Sequence, residues 1–399
     1  MEKGRRFFST FAAGSAALTA GLTSRRARAA PSGSPMGAMA AASAPLTPAT
    51  AAPPTPAAAS QTVTLRCQSA WAADDLFHDL ALDFARKVNA ISAGRLRIDM
   101  LPADAFVKPY DLLDAVSKGV LDGGHGILSL WYGKHPAFSL WGSGPSFGMD
   151  PNMLLAWHEH GGGKGLLDEI YSSLNMQVVS MLYAPMPTQP LGLFRRPVLR
   201  PDDLKGVRFR AIGPSVDLFT AMGMSISTMS NKEAAAAISR GQLDGATIDN
   251  VTVGATDTLS QGAKVCMLRS FHQKFANLEL LFNRRRFDAL TPEHQAILSV
   301  AAQACSAEAS WKLIDRCSRD YIEQQDRRGI TFMPTSDAIL RAQLKAWDEV
   351  ATRRYAESQM FRRVADSMRV FAQRAGHWQN DTLVDYRMAY EHYFTPRKA

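Results

Sequence analysis

The sequence has 399 residues, 46% of them hydrophobic and 21% charged, enough apolar material for a sizeable core and too much for a disordered chain. Its 45 Lys and Arg against 37 Asp and Glu give a net charge of +8. Residues 1–30 hold Lys3, Arg5, Arg6, Arg25, Arg26 and Arg28 against the single acid Glu2, so the remainder carries 39 against 36, or +3. That balance speaks against a nucleic-acid-binding surface, and no nucleic-acid partner is expected.

In chain order, Arg5-Arg6 precedes Phe7-Phe8, a weakly apolar run to Leu22 and then Ala27-Arg28-Ala29. This resembles a twin-arginine export signal over 1–29, cut after Ala29, and predicts a protein released into the periplasm. Residues 30–60 are almost wholly Ala, Pro, Ser and Thr and read as a flexible linker. No later segment has the eighteen or so consecutive apolar residues of a membrane span. Four cysteines are too few for a disulfide scaffold. Cys305 and Cys317 share one helical pattern about 18 Å apart and cannot pair. All four read as buried small hydrophobes, with a Cys67–Cys266 bridge left open.

Leu76, Leu80, Phe84, Val88 and Ile91 recur every three or four residues and predict a helix closed by Gly94. Leu96, Ile98 and Met100 alternate as in a strand, and Pro109 to Lys118 reads as a short helix ended by Gly119. The same order returns as strand Val207–Ile212, helix Pro214–Met222, helix Lys232–Arg240 and Gly241. Lys118-Gly119-Val120-Leu121-Asp122-Gly123 and Arg240-Gly241-Gln242-Leu243-Asp244-Gly245 form an echo in which a left-handed glycine ends a helix and the chain enters a strand. An α/β, two-lobed binding-protein fold follows, with lobe I at 61–186, lobe II at 187–274, and a ligand cleft between them. Residues 275–360 read as a return to lobe I with long helices. Thr291-Pro292-Glu293 starts one that runs to Gly329 through Ile297, Val300, Ala304, Trp311, Ile314 and Tyr321. Further helices are predicted at 337–356, 361–375 and 380–393, and 361–399 reads as a C-terminal helical arm. The long helix suits a hinge-spanning element and the arm an oligomerisation segment; plain packing on the nearer lobe is the alternative.

Enzyme motifs are scarce. His158-Glu159-His160 lacks the H-E-x-x-H spacing, and Gly161-Gly162-Gly163-Lys164-Gly165 lacks that of a phosphate loop. Neither a G-x-G-x-x-G fingerprint nor a C-x-x-C pair occurs. The weight moves to a binding protein rather than an enzyme, with no cofactor.

Gly124-His125, Trp131-Tyr132-Gly133-Lys134-His135-Pro136-Ala137-Phe138, Phe147-Gly148-Met149, Ala156-Trp157, Thr188-Gln189, Asp203-Leu204-Lys205-Gly206-Val207-Arg208-Phe209-Arg210 and Gly241-Gln242-Leu243-Asp244 occur in order. Over residues 61–395 the chain resembles the periplasmic solute receptors of TRAP (tripartite ATP-independent periplasmic) transporters, in the branch that binds 2-oxo acids. The resemblance implies two lobes closing over a small organic carboxylate, delivery to the transporter's membrane subunits, and a homodimer formed through helices near 361–393. It makes Arg210 the carboxylate partner and Gln189 a contributor to the ligand and cation site. A guanidinium matches a carboxylate bidentately, which supports Arg210 on chemical grounds.

The departures from the pattern matter as much. Where the branch reads A-T-E-W this chain reads Gly245-Ala246-Thr247-Ile248, so Thr247 replaces a metal-ligating glutamate, and Gln273 replaces a second acid. Two anionic oxygens are gone, so no tightly bound metal is expected and the ligand need not be a simple 2-oxo acid. Asp249 is the remaining acid near this segment. Trp71, Trp131 and Phe271 are candidate pocket walls, Ser129 and Leu130 replace paired tyrosines, and His125 reads as a core histidine. A periplasmic enzyme using His125, Asp249 or His272, or a sensory ligand receptor, is the alternative.

Overall fold

The computed structural model describes residues 62–186, 189–252, 256–257, 259–273 and 277–395. The export signal at 1–29, the linker at 30–60 and Thr188 lie outside the described residues. Residues 58–399 form one unit.

The first sheet contains β1 (Val63–Ser69), β2 (Leu96–Leu101), β3 (Gly123–Ile127), β4 (Val178–Pro185) and β10 (Asn277–Asn283), in the order β2-β1-β3-β10-β4. The second contains β5 (Gly192–Phe194), β6 (Arg208–Arg210), β7 (Ser225–Ser227), β8 (Gly245–Ala246), β9 (Val265–Leu268) and β11 (Thr331–Pro334), in the order β11-β9-β5-β8-β6-β7. The plans match: β2-β1-β3 and β7-β6-β8 are parallel, and each third strand is followed by one that runs antiparallel to it. The glycine echo sits at the same place in both. Gly119 and Gly241 have φ of 75° and 72°, and Asp122 and Asp244 accept from the backbone N–H of Arg66 and Arg208 at 2.9 and 3.0 Å. A methyl at Gly123 would lie 2.7 Å from Cys67 Sγ, and one at Gly245 2.4 Å from the Leu193 carbonyl oxygen, so both strands enter where only glycine fits.

Helices cover the sheets. In α1 (Leu76–Ile91), Asp75 caps the N-terminus by accepting from Phe77 N at 2.8 Å, while Leu80, Phe84 and Val88 enter the core. Ile91, expected inward, is exposed. Next come α2 (Leu112–Ser117), α3 (Pro151–His160), α4 (Gly163–Ser173), α5 (Ser215–Ala221), α6 (Asn231–Ser239) and α7 (Arg284–Asp288).

Helix α8 (Pro292–Arg328) runs along both lobes. Ile297, Leu298, Ala301, Cys305 and Leu313 join the first core, whereas Tyr321 packs 4.3 Å from Phe332 of β11. Its buried stripe is rotated from the predicted one, leaving Val300, Trp311 and Ile314 in solvent. Because β11 pairs with β9 in the second sheet, residues 275–360 do not belong to lobe I alone. Likewise α9 (Asp337–Glu357) starts in the second core with Ile339 and ends in the first with Trp347, Val350 and Ala351.

The first part of the expected arm is core as well. In α10 (Gln359–Thr382), Phe361, Val364, Ala365, Met368 and Ala372 pack into lobe I. Val370 of α10 and, from about Trp378 through α11 (Tyr386–Phe394), a run of large apolar side chains face solvent, among them Met388, Tyr390 and Phe394. The cysteines are free: Cys67 sits in the first sheet and Cys266 in the second, so no bridge joins them, and Cys317 is only half-buried. Among the described residues no helix is long and apolar enough to cross a membrane.

Candidate functional site

Three-residue β6 ends on Arg210. Arg208, on the same strand, is exposed and held bidentately by Asp244, with Nε and Nη2 at 3.0 and 2.8 Å. Arg210 is buried, 7% exposed. Its Nε donates to Met229 O at 2.9 Å and its Nη1 to Thr247 Oγ1 at 3.2 Å. Among the described residues no carboxylate lies within 4 Å of it and Nη2 has no partner. Burial pushes the Arg210 pKa down while the charges of Asp249 and Tyr110 push it back up; a guanidinium stays protonated under such opposing effects.

Asp249 and Tyr110 both border a narrow cleft of ≈ 80 Å³ between the two sheets. Lobe I lines it with Trp71, Phe77, Ile127, Ser129 and Leu130, the opposite side with Ile212 and Gly213, and Met186, Gln189 and Gln273 come from the segments that pass between the lobes. Gln189 is buried, and its backbone N–H donates to Gln273 O at 3.4 Å. Gln273 in turn bridges Gly144. Burial raises the Asp249 pKa and Arg210 opposes the rise. Asp75 is pushed up to about 6, by burial first and in part by the charge of Asp249.

The structure thus gathers Trp71, Gln189, Asp249 and Gln273 on one cavity; Arg210 and Thr247 do not line it, and Arg210 is linked to it through the charges of Asp249 and Tyr110. Trp131 and Phe271 stand elsewhere. Trp131 is fully buried and donates through Nε1 to Glu279 Oε2 at 2.9 Å, because a buried carboxylate needs donors; Tyr171 and Ser180 supply two more at 2.5 Å. Phe271 is tied through its backbone N–H to Gln343 Oε1 at 2.9 Å and does not line the cleft. Tyr110 and Phe77 are wall residues that the sequence reading misses; Phe77 lies on the predicted face of α1, but nothing local marks it as pointing to a ligand.

The histidines are occupied by the core. His125 meets Ser69 Oγ through Nδ1 at 3.2 Å and Tyr183 OH through Nε2 at 2.8 Å, and burial lowers its pKa to about 3. His272 binds Ser270 Oγ at 2.6 Å and is likewise depressed to about 3 by burial. Gly144-Pro145-Ser146-Phe147-Gly148 has the G-x-S-x-G spacing of a nucleophile elbow, a match the motif reading misses. It forms a 3-10 turn rather than a strand-to-helix corner, and Ser146 Oγ is buried with no hydrogen-bond partner to act as base.

Two lobes built on one plan with a cleft between them, and near it a buried guanidinium that no acid pairs among the described residues, define a solute-binding architecture. The chain belongs to the family described as bacterial extracellular solute-binding protein, family 7 (DctP), whose pattern matches residues 67–360. It is 24% identical over 309 residues to the monocarboxylate 2-oxoacid-binding periplasmic protein of a Nostoc species, covering 76% of this chain and 82% of that one. A TRAP periplasmic solute-binding protein of Colwellia psychrerythraea, solved with calcium and pyruvate, is 20% identical with a TM-score of 0.75, covering 84% of this chain and 100% of that one. One from Bordetella bronchiseptica, a dimer with calcium and picolinate in its occupied site, is 20% identical with a TM-score of 0.74, covering 84% and 97%. These structures establish the two-lobed fold.

Calcium prefers six to eight oxygen ligands with several carboxylates among them. The residues facing this cleft offer one carboxylate, Asp249, and the carboxamides of Gln189 and Gln273; among the described residues no three acidic, histidine or cysteine side chains converge on a metal position. That donor set does not suit a hard divalent cation.

Proposed function

We propose that this protein captures a small organic carboxylate outside the cytoplasm and delivers it to the membrane subunits of a TRAP-type transporter. The observation that carries this reading is the buried guanidinium of Arg210, unpaired by any acid among the described residues and within electrostatic reach of Asp249 and Tyr110, which border a cavity that both lobes wall. A carboxylate placed there would receive charge-assisted hydrogen bonds in a space emptied of water, where they are strongest. Contacts from Trp71 on one side and Ile212 on the other exist together only in the closed arrangement, so ligand binding favours closure.

The 2-oxoacid-binding relative and the pyruvate-bound neighbour support the carboxylate class. Arg5-Arg6 with Ala27-Arg28-Ala29 supports export to the periplasm by the twin-arginine route. The solvent-facing side chains from Trp378 to Phe394, and the dimeric neighbour, support a homodimer made with this end of the chain.

Thermal-shift measurements on the protein lacking residues 1–29, against an organic-acid panel with and without calcium or sodium, test the reading. A rise of several degrees with at least one carboxylate alone is expected. No shift with any acid, or conversion of an added acid to product, overturns it.

A further inference from the structure

Taking Arg210 as a carboxylate anchor leaves Asp249, an acid that borders the cleft, without a use. Asp249 lies three residues beyond the end of β8 and borders the cavity, with no hydrogen bond and no ion pair among the described residues. It is held apart from Arg210 by more than salt-bridge distance, since no pair within 4 Å joins them. An acid placed only to neutralise that guanidinium would be in contact with it. Asp75, at the N-cap of α1, lies close enough for the charge of Asp249 to help raise its pKa.

The wall on the lobe I side is aromatic. Trp71 and Phe77 meet edge to face with centroids 5.0 Å apart, and Tyr110 borders the same space. Ring faces carry negative potential, and beside a carboxylate they form a favourable environment for an ammonium group, primary or alkylated. None of the residues lining the cavity is Lys or Arg. A ligand with a carboxylate and nothing positive would satisfy Arg210 and leave Asp249 desolvated and repelled, a cost that disfavours such a molecule against one that also carries a cation.

We infer that the cleft selects a small zwitterion, whose carboxylate meets Arg210 and whose ammonium group meets Asp249 and the rings of Trp71, Phe77 and Tyr110. The inference rests on the carboxylate reading of Arg210 and narrows it to amino-acid-like or betaine-like solutes.

Calorimetric titration of the wild-type protein with matched 2-oxo and 2-amino acids (pyruvate and alanine, 4-methyl-2-oxopentanoate and leucine, phenylpyruvate and phenylalanine), together with proline and glycine betaine, provides the test. At least one zwitterion is expected to bind ten times or more tighter than every 2-oxo acid. The near-isosteric Asp249→Asn variant should lose most of that preference while binding 2-oxo acids as well as or better than wild type. Tighter binding of the 2-oxo members by wild type, or a zwitterion preference that survives Asp249→Asn, overturns the inference and leaves the carboxylate reading standing. So does 2-oxo acid binding that requires sodium or calcium and is abolished by Asp249→Asn, which would make Asp249 a cation ligand. If no carboxylate of either kind binds, both readings fall together.

Discussion

At the end of β1, Gln68 stands where Arg210 stands at the end of β6: each follows the residue paired with the tight glycine, Cys67 with Gly123 and Phe209 with Gly245. Both side chains reach the loop beyond the neighbouring strand. Gln68 is fully buried and bonded through both its nitrogen and its oxygen, donating to Val107 O at 2.7 Å and accepting from the N–H groups of Phe106 and Val107 at 2.8 and 3.2 Å. Arg210 spends only part of its guanidinium on Met229 and Thr247. One residue further along each third strand the contrast repeats, with His125 bonded through both ring nitrogens and Thr247 given to Arg210. A single register therefore holds a closed neutral network in one lobe and an open charged one in the other. The first makes a rigid wall, and the second keeps polar capacity for a ligand.

Exchanging the roles of these residues by mutation would break the comparison. Arg210→Ala should weaken carboxylate binding roughly 100-fold, the scale of losing one side of a buried charge pair, with little change in the melting temperature of the unliganded protein. Titration and a thermal melt check this, and a large loss of stability would mean that Arg210 is as structural as Gln68. Gln68→Ala should do the reverse, costing about 2 kcal/mol in urea unfolding because two loop N–H groups and a carbonyl lose their partner, with affinity within about twofold of wild type. Trp131→Phe sharpens the point within lobe I. Glu279 keeps two of its three side-chain donors, so about 1 kcal/mol is expected in the same unfolding experiment, again without loss of binding.

Much of this plan was legible in the sequence. Helix α1, the strand at 96–101, the start of α8 at Thr291 and the paired glycine turns follow from periodicity and capping, which are local. The pairing of β11 with the second sheet was not, because no local pattern tells a strand which lobe it will rejoin. Around the candidate site, motif resemblance picked out Gln189 and Gln273, which line the cleft, and Arg210 and Thr247, which do not. The walls were harder: Trp131 has the same apolar surroundings as Trp71 in sequence, but only the fold brings Glu279 of a distant strand under its indole. Tyr110 follows Pro109 in an exposed turn, and nothing nearby in sequence links it to Asp249.

Between Glu293 and Arg328, α8 contains neither glycine nor proline, the usual sources of a sharp kink. It is fastened to one lobe near Ile297 and to the other near Tyr321. Any gaping of the two halves must flex this beam, about 55 Å long, instead of folding it at a joint.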